Sequence, residues 1–477
     1  MENIYIAEWL YLILWIIYIV TVIGIILIVL SENRNPLKSL SWIMVLTFLP
    51  VGGLILYLFL GRDFRKQRMI SKKSFKKIDQ YSFDLETKPE NISINNEVKG
   101  LVQLLKNIGN SKLYSGNEIE VFIDGSSMIN ELTERIKCAT KFIHLQFYIF
   151  RNDNTGIMIR DLLIEKAKQG IEVRVMYDDV GCWDVPNSFF NHMKDNGIDL
   201  NAFFEVRIPV FARKINYRNH RKIAIIDGEY GFIGGMNIAD RYVYGLKWGN
   251  WRDTHLMIKG PAIVDLQKSF SIDWYFSDKE LLWDAKYFPK QKVEGNIAMQ
   301  IATSGPIGEW KEMMHSFFKA INSAKKYVYI QTPYFLPTES LLIALQTAAL
   351  SGIDVRIMLP MRSDSSVVHV GSCSYIRSML ISDVKVYFYK PGFLHSKVII
   401  VDDEFCSIGS ANMDFRSLEH NFEANAFIYN SEFTIKMRKI FIKDQSLSHK
   451  ITLREWRSRP IMRKIAESVM RLLAPML

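Results

Sequence analysis

His220, Lys222 and Asp227 recur, at identical spacing, as His395, Lys397 and Asp402. After six intervening residues each Asp is followed by a small-residue turn ending in Asn, Gly234-Gly235-Met236-Asn237 in the first copy and Gly409-Ser410-Ala411-Asn412 in the second. A half-site present twice supplies two histidines to one reaction. That suits chemistry needing a nucleophile and a separate general acid/base.

The runs from His220 to Ile226 and from His395 to Val401 are rich in β-branched residues, and a side-chain period of two puts His and Lys on one face of a strand. Asp227 and Asp402 have the opposite parity, and Asp227-Gly228 reads as a tight hairpin turn, so each Asp completes its catalytic motif as a support rather than a reactant. The Gly-containing turn permits close backbone approach, and the Asn after it offers an amide donor. His, Lys and Asn from both copies make a cationic, donor-rich cradle suited to a phosphodiester, whose transferring group carries negative charge.

What must position two such half-sites is a duplicated fold. Ala139 to Gln146 matches Ala324 to Gln331, and Gly170 to Met176 matches Gly352 to Met358, at offsets of 185 and 182 residues against 175 for the histidines. Near-constant offsets predict two homologous domains, each alternating helix and strand, with the site at their interface.

Leu10 to Leu30 and Ser41 to Leu60 are each apolar and long enough to span a bilayer, which predicts an N-terminal membrane hairpin and not a cleaved signal peptide. The connection carries Arg34 and Lys38, whereas Gly61 to Gln80 carries eight basic residues, so the chain beyond the hairpin is expected on the cytoplasmic side. Residues 1 to 80 hold ten Lys/Arg against five Asp/Glu and residues 450 to 477 hold seven against two, while the whole chain is +10, so the middle is neutral. A neutral middle speaks against a nucleic-acid partner, and the basic ends suit anionic lipid. After Pro460, Ile461, Ile465, Val469, Leu472 and Met476 fall at helical spacing with Arg463, Lys464 and Arg471 among them. This reads as a helix on the membrane surface or, alternatively, one packed on the protein.

Cys138, Cys182, Cys373 and Cys406 show no paired or metal-ligand spacing, so neither a disulfide frame nor a metal site is expected, and no cofactor. His144, His192, His315, His369, His420 and His449 lack the Lys at i+2 and read as structural. His255 shares strand parity with Asp253. Tyr148, Tyr334 and Phe335 are candidates for a headgroup or acyl pocket, or for core packing.

The two motifs resemble the paired HKD signatures of the phospholipase D superfamily. Gln331 to Phe335, Gly234 to Asp240, Trp251 to Asp253 and Asn412 to Ser417, with the membrane segments, are similar more narrowly to bacterial cardiolipin synthases, over nearly the whole chain. The resemblance implies an α/β fold of two pseudo-symmetric phospholipase D-like domains, 116–295 and 296–449. These would follow a hairpin (1–60) and a basic linker (61–115) and precede a basic amphipathic helix (450–477). It implies phosphatidyl transfer between two phosphatidylglycerol molecules, giving cardiolipin and glycerol. His220 would be the nucleophile and His395 the general acid/base, Lys222, Lys397, Asn237 and Asn412 would hold the phosphate, and Asp253 and Glu423 would orient the histidines. The superfamily often has Ser where this chain has Gly235, which makes the two cradles unequal. A lipid-hydrolysing phospholipase D shares every motif, as does a phosphatidyltransferase with a different lipid donor such as phosphatidylethanolamine. A nuclease is disfavoured by the neutral middle, and a non-catalytic scaffold by both motifs being complete. Sequence leaves the oligomeric state open.

Overall fold

Alternating side chains of the strands feed two different layers. In one strand Ile143 and Leu145 enter a core with helices Gly125–Cys138, Asn154–Lys168 and Asn187–Asp195, while Phe142 faces a second core with helix Ile263–Asp278. Farther along, Val328 and Ile330 face helices Glu312–Asn322, Glu339–Leu350 and Ser366–Ile381, while Tyr327 and Tyr329 face helix Ser431–Ser446. A period of two in a strand buried on both sides dictates this split.

This computed structural model describes residues 2–31, 36–49, 52–57, 71–80, 94, 96–205, 217–291 and 294–473. They fall in two units, Met1–Lys66 with Val206–Ile215, and Gln67–Glu205 with Asn216–Leu477. In the larger unit the strands are β1 (Tyr114–Phe122), β2 (Phe142–Phe147), β3 (Glu172–Asp178), β4 (Asp199–Phe203), β5 (Ile223–Ile226), β6 (Tyr230–Gly234), β7 (Asn250–Arg252) and β8 (His255–Lys259). They continue as β9 (Ile297–Ser304), β10 (Tyr327–Gln331), β11 (Phe335–Leu336), β12 (Asp354–Pro360), β13 (Lys385–Tyr389), β14 (Gly392–Leu394), β15 (Val398–Val401), β16 (Phe405–Gly409), β17 (Met413–Asp414), β18 (Glu423–Tyr429) and β19 (Ser448–Lys450).

Fifteen of these form one mixed sheet in the order β19-β13-β12-β10-β15-β16-β18-β9-β1-β8-β6-β5-β2-β3-β4. Outward from the antiparallel β1–β9 pair, both directions repeat the same pattern: three further antiparallel steps reach β5 or β15, a fourth reaches β2 or β10, and two parallel steps end at β4 or β13. Only β19 has no counterpart in that order. The stretch read as a basic linker carries two helices, Lys72–Asp79 and Asn96–Gly109, and the second buries Val98, Leu101, Val102 and Leu105.

The smaller unit holds α1 (Glu2–Ser31), α2 (Pro36–Phe48) and α3 (Gly52–Leu56). Glu8–Leu27 of α1 is long and apolar enough to cross a membrane, the one such helix among the described residues. Tyr18 donates its hydroxyl to the Leu46 carbonyl at 2.9 Å, and Val22, Ile25 and Ile26 pack with Trp42, Leu46 and Tyr57. The second apolar stretch differs from the single span expected over 41–60, because α2 ends at Phe48 and a separate short helix follows. Pro50 lacks the N–H a continuing helix needs, and Gly52-Gly53 weakens helix further. Most of the basic run after Leu60, and the connection around Arg34, lie outside the described residues.

Candidate active site

Each His-x-Lys segment sits just before its strand, in extended backbone stitched to the opposite half of the sheet. The His220 N–H donates to the Phe422 carbonyl at 2.9 Å and the Phe422 N–H to the Arg218 carbonyl at 2.9 Å, so the segment runs parallel to the approach to β18. Likewise β14 pairs in parallel with β7, and the His395 N–H donates to the Arg252 carbonyl at 2.7 Å.

This backbone exchange delivers each carboxylate to the other half's imidazole. Nδ1 of His220 lies 3.0 Å from Oε2 of Glu423, and Nδ1 of His395 lies 2.6 Å from Oδ2 of Asp253. A carboxylate at Nδ1 takes that N–H and leaves Nε2 as the free basic nitrogen. Both histidines line one cleft of about 270 Å³, together with Asn237, Asn412, Tyr148 and Tyr334. Asp253 and Glu423 are thus brought to the histidines, crosswise between the copies.

Burial pushes His220 and His395 down to about 4, against the pull of their carboxylates, so both imidazoles are neutral at pH 7. Burial opposes ionisation of Glu423 and Asp253 too, but His220 and Lys222 hold Glu423 below the usual range, and Lys397 and His395 do so for Asp253. Burial also brings Lys397 down to about 8 and Lys222 well below its ordinary value. Each ammonium folds back on its own motif: Lys222 Nζ donates to the His220 carbonyl at 2.6 Å, and Lys397 Nζ to that of His395. An anion in the cleft shifts both imidazoles and both ammonium groups upward, toward their ordinary values.

Asp227 and Asp402 stand outside the cleft. Both adopt the left-handed conformation, at φ 55° and 54°, in the turns joining β5 to β6 and β15 to β16. Asp227 accepts from the N–H groups of Thr140, Lys141 and Phe142 at 2.8 to 2.9 Å, and Asp402 accepts from those of Lys325, Lys326 and Tyr327. Each tethers its hairpin to the start of the neighbouring strand, a support role. The two amides differ. Asn237 accepts from the Ile149 N–H at 3.0 Å and donates to the Tyr242 hydroxyl at 2.5 Å, whereas Oδ1 of Asn412 is buried without a hydrogen-bond partner among the described residues. Phe335 is wholly buried and belongs to the core. His255 is buried in β8, its Nδ1 3.3 Å from the Met236 N–H, and His144 stacks on Phe270.

Sequence reasoning missed Arg218, Arg241 and Arg416, which line the cleft with Tyr242 and Trp251. Arg241 lies over the rings of Tyr242 and Trp251, and Arg218 pairs with buried Asp178 at 3.2 Å. A signal was present: Arg241 and Arg416 each stand four residues after the motif Asn.

A family described as "Cardiolipin synthase, PLD-like domain" matches residues 132–274 and 317–445, and one described as "Phospholipase_D-nuclease N-terminal" matches 13–62. The chain is 40% identical over 454 residues to a cardiolipin synthase of Geobacillus sp. (strain WCH70), covering 94% of this chain and 90% of that one. It is also 40% identical over 466 residues to the major cardiolipin synthase ClsA of Bacillus subtilis (strain 168), covering 95% and 96%. In fold it is similar to the crystal structure of a phosphatidylserine synthase of Haemophilus influenzae, with a TM-score of 0.60 at 16% identity, covering 80% of this chain and all of that one. The duplicated motif, its crossed carboxylates and these matches agree, and the chain belongs to the cardiolipin synthase family of the phospholipase D superfamily.

Proposed function

We propose that this enzyme moves a phosphatidyl group from one phosphatidylglycerol to the terminal glycerol hydroxyl of a second, releasing glycerol and forming cardiolipin. The observation that carries the reading is that two imidazoles, one per motif, share one cleft with Nδ1 of each held by a carboxylate. In the first half-reaction Nε2 of His220 bonds to phosphorus as the bond to the glycerol oxygen breaks, and His395 gives that oxygen its proton. In the second, His395 takes the proton of the incoming hydroxyl, whose oxygen bonds to phosphorus as the bond to His220 breaks. A proton donor is needed first, and the phosphodiester's negative charge raises His395 from about 4.

Lys222, Lys397, Asn412, Arg241 and Arg416 are the cationic and amide groups assigned to the non-bridging oxygens. Asp253 and Glu423 orient the histidines. One phosphodiester replaces another, so no nucleotide enters. The ring of Tyr148, its centroid 5.0 Å from that of His220, and the ring of Trp251, its centroid 5.1 Å from that of His395, pack beside the imidazoles and limit water while the intermediate waits.

The repeated strand pattern supports two pseudo-symmetric domains meeting at β1–β9, near the boundaries 116–295 and 296–449. The packing of α2 on α1, with the basic residues that follow, supports a membrane-embedded N-terminal pair with the catalytic domains on the cytoplasmic side. The test incubates purified full-length protein with phosphatidylglycerol labelled in its terminal glycerol. Cardiolipin with one labelled glycerol released per product is expected. Phosphatidic acid with labelled glycerol would instead make the enzyme a hydrolase.

A further inference from the structure

The helix Ile461–Leu473 is turned inside out relative to an ordinary surface helix. Among its described residues the buried one is charged. Glu467 is 5% exposed, 3.0 Å from Nη2 of Arg459 and 3.6 Å from Arg463, and Arg471 lies over the Tyr375 ring at 4.6 Å. Its apolar arc faces away: Ile461, Met462, Ile465, Val469 and Leu472 are all exposed, Leu472 by 80%. A helix seated on a water-soluble surface buries its apolar arc and solvates its charges. Here Glu467 is satisfied by Arg459 and Arg463, and the Arg471–Tyr375 contact holds the helix on Ser366–Ile381, which leaves the apolar arc for a second phase.

We propose that this arc docks on an anionic bilayer and seats the cleft at headgroup level, which rests on the reading that the substrate is a membrane lipid. Three observations favour a bilayer. The helix packs on Ser366–Ile381, whose Val368 lines the cleft and whose Val367 is exposed, so it sits on an element of the active-site wall. The segment 450–477 holds seven basic and two acidic residues, the sign that anionic headgroups attract. One 13-residue helix face is roughly 20 Å long, too small alone for the ~800 Å² per partner of a stable dimer.

The test uses the full chain carrying Cys138→Ser and Val469→Cys, spin-labelled at 469 and reconstituted in phosphatidylglycerol–phosphatidylcholine vesicles. Relaxation of the label by oxygen is expected to exceed relaxation by a water-soluble nickel chelate. The reverse order overturns the proposal, and so does poor access by both, which would mean that protein covers the face, whether a second copy or another part of the chain. In parallel, Ile465→Asp with Val469→Asp is expected to raise KM on vesicle phosphatidylglycerol at least about tenfold. Turnover of short-chain, monomerically dispersed phosphatidylglycerol is expected to stay within about twofold. Equal loss on both substrates, or no loss on vesicles, overturns it. Failure of the unaltered enzyme to make cardiolipin from either substrate would refute the synthase reading and leave the spin-label result standing.

Discussion

Gly235 and Ser410 hold the same place in the two motifs, and each suits the carboxylate beside it. Ser410 donates its hydroxyl to Glu423 at 2.5 Å, and Asn421 adds a second donor at 3.3 Å. At Gly235 a Cβ would meet Oδ1 of Asp253 at 2.1 Å, so a side chain there displaces the group that holds His395. The missing hydroxyl therefore bears on a carboxylate rather than on the phosphate, where the sequence had suggested the inequality lies. Gly235→Ser is expected to lower kcat by about 10²-fold or more through His395. Ser410→Ala, which leaves Glu423 its other donors, is expected to cost about tenfold or less. Steady-state kinetics on both variants checks the order, and equal losses would contradict it.

At the scale of elements, two buried arginines lock the crossed strands. Arg221 joins Asp273 of helix Ile263–Asp278 to the Glu423 carbonyl at 2.5 and 3.1 Å. Arg252 joins Asp444 of helix Ser431–Ser446, at 2.8 Å, to the Asp253 carbonyl and the Ser396 hydroxyl. One arginine follows a motif histidine and the other precedes a partner carboxylate, yet they do equivalent work. Arg252→Met leaves Asp444 buried with its charge unpaired, and a loss of about 3–5 kcal/mol is expected in chemical denaturation. Adding Asp444→Asn should recover a good part of it; no recovery would refute the coupling.

These links also mark how far the sequence could be read. Spacing within a motif is local, so the two His-x-Lys pairs, their support Asp residues and the hairpin at Asp227-Gly228 were legible. Which carboxylate serves which histidine depends on strands some 140 and 200 residues apart in sequence running side by side, and no periodicity encodes that. Arg241 and Arg416 were legible by their shared distance from Asn and were overlooked. The single span over 41–60 followed from hydropathy, which is blind to the helix-ending effect of Pro50.

Across the whole molecule, four buried histidines are held neutral. Burial brings His144 and His255 to about 3 and His220 and His395 to about 4, from an ordinary 6.5. As pH falls below 6.5 the unfolded chain takes up these protons before the folded one does, so stability is complete above about 6.5 and declines toward pH 4. Melting temperature should therefore rise steeply between pH 4 and 6.5 and level off above. His255→Gln should flatten that slope, and an unchanged slope would show that its titration contributes nothing.

The most direct test of the central claim asks where the covalent intermediate forms. The His395→Asn enzyme is incubated with a phosphatidyl ester of a good leaving group, which needs no protonation to depart, then quenched and mapped by mass spectrometry. A phosphatidyl adduct on His220, long-lived because the acceptor hydroxyl is no longer deprotonated, and no adduct in His220→Asn, is the predicted result. An adduct on His395 in the His220→Asn enzyme, with none on His220 in the His395→Asn enzyme, would contradict it.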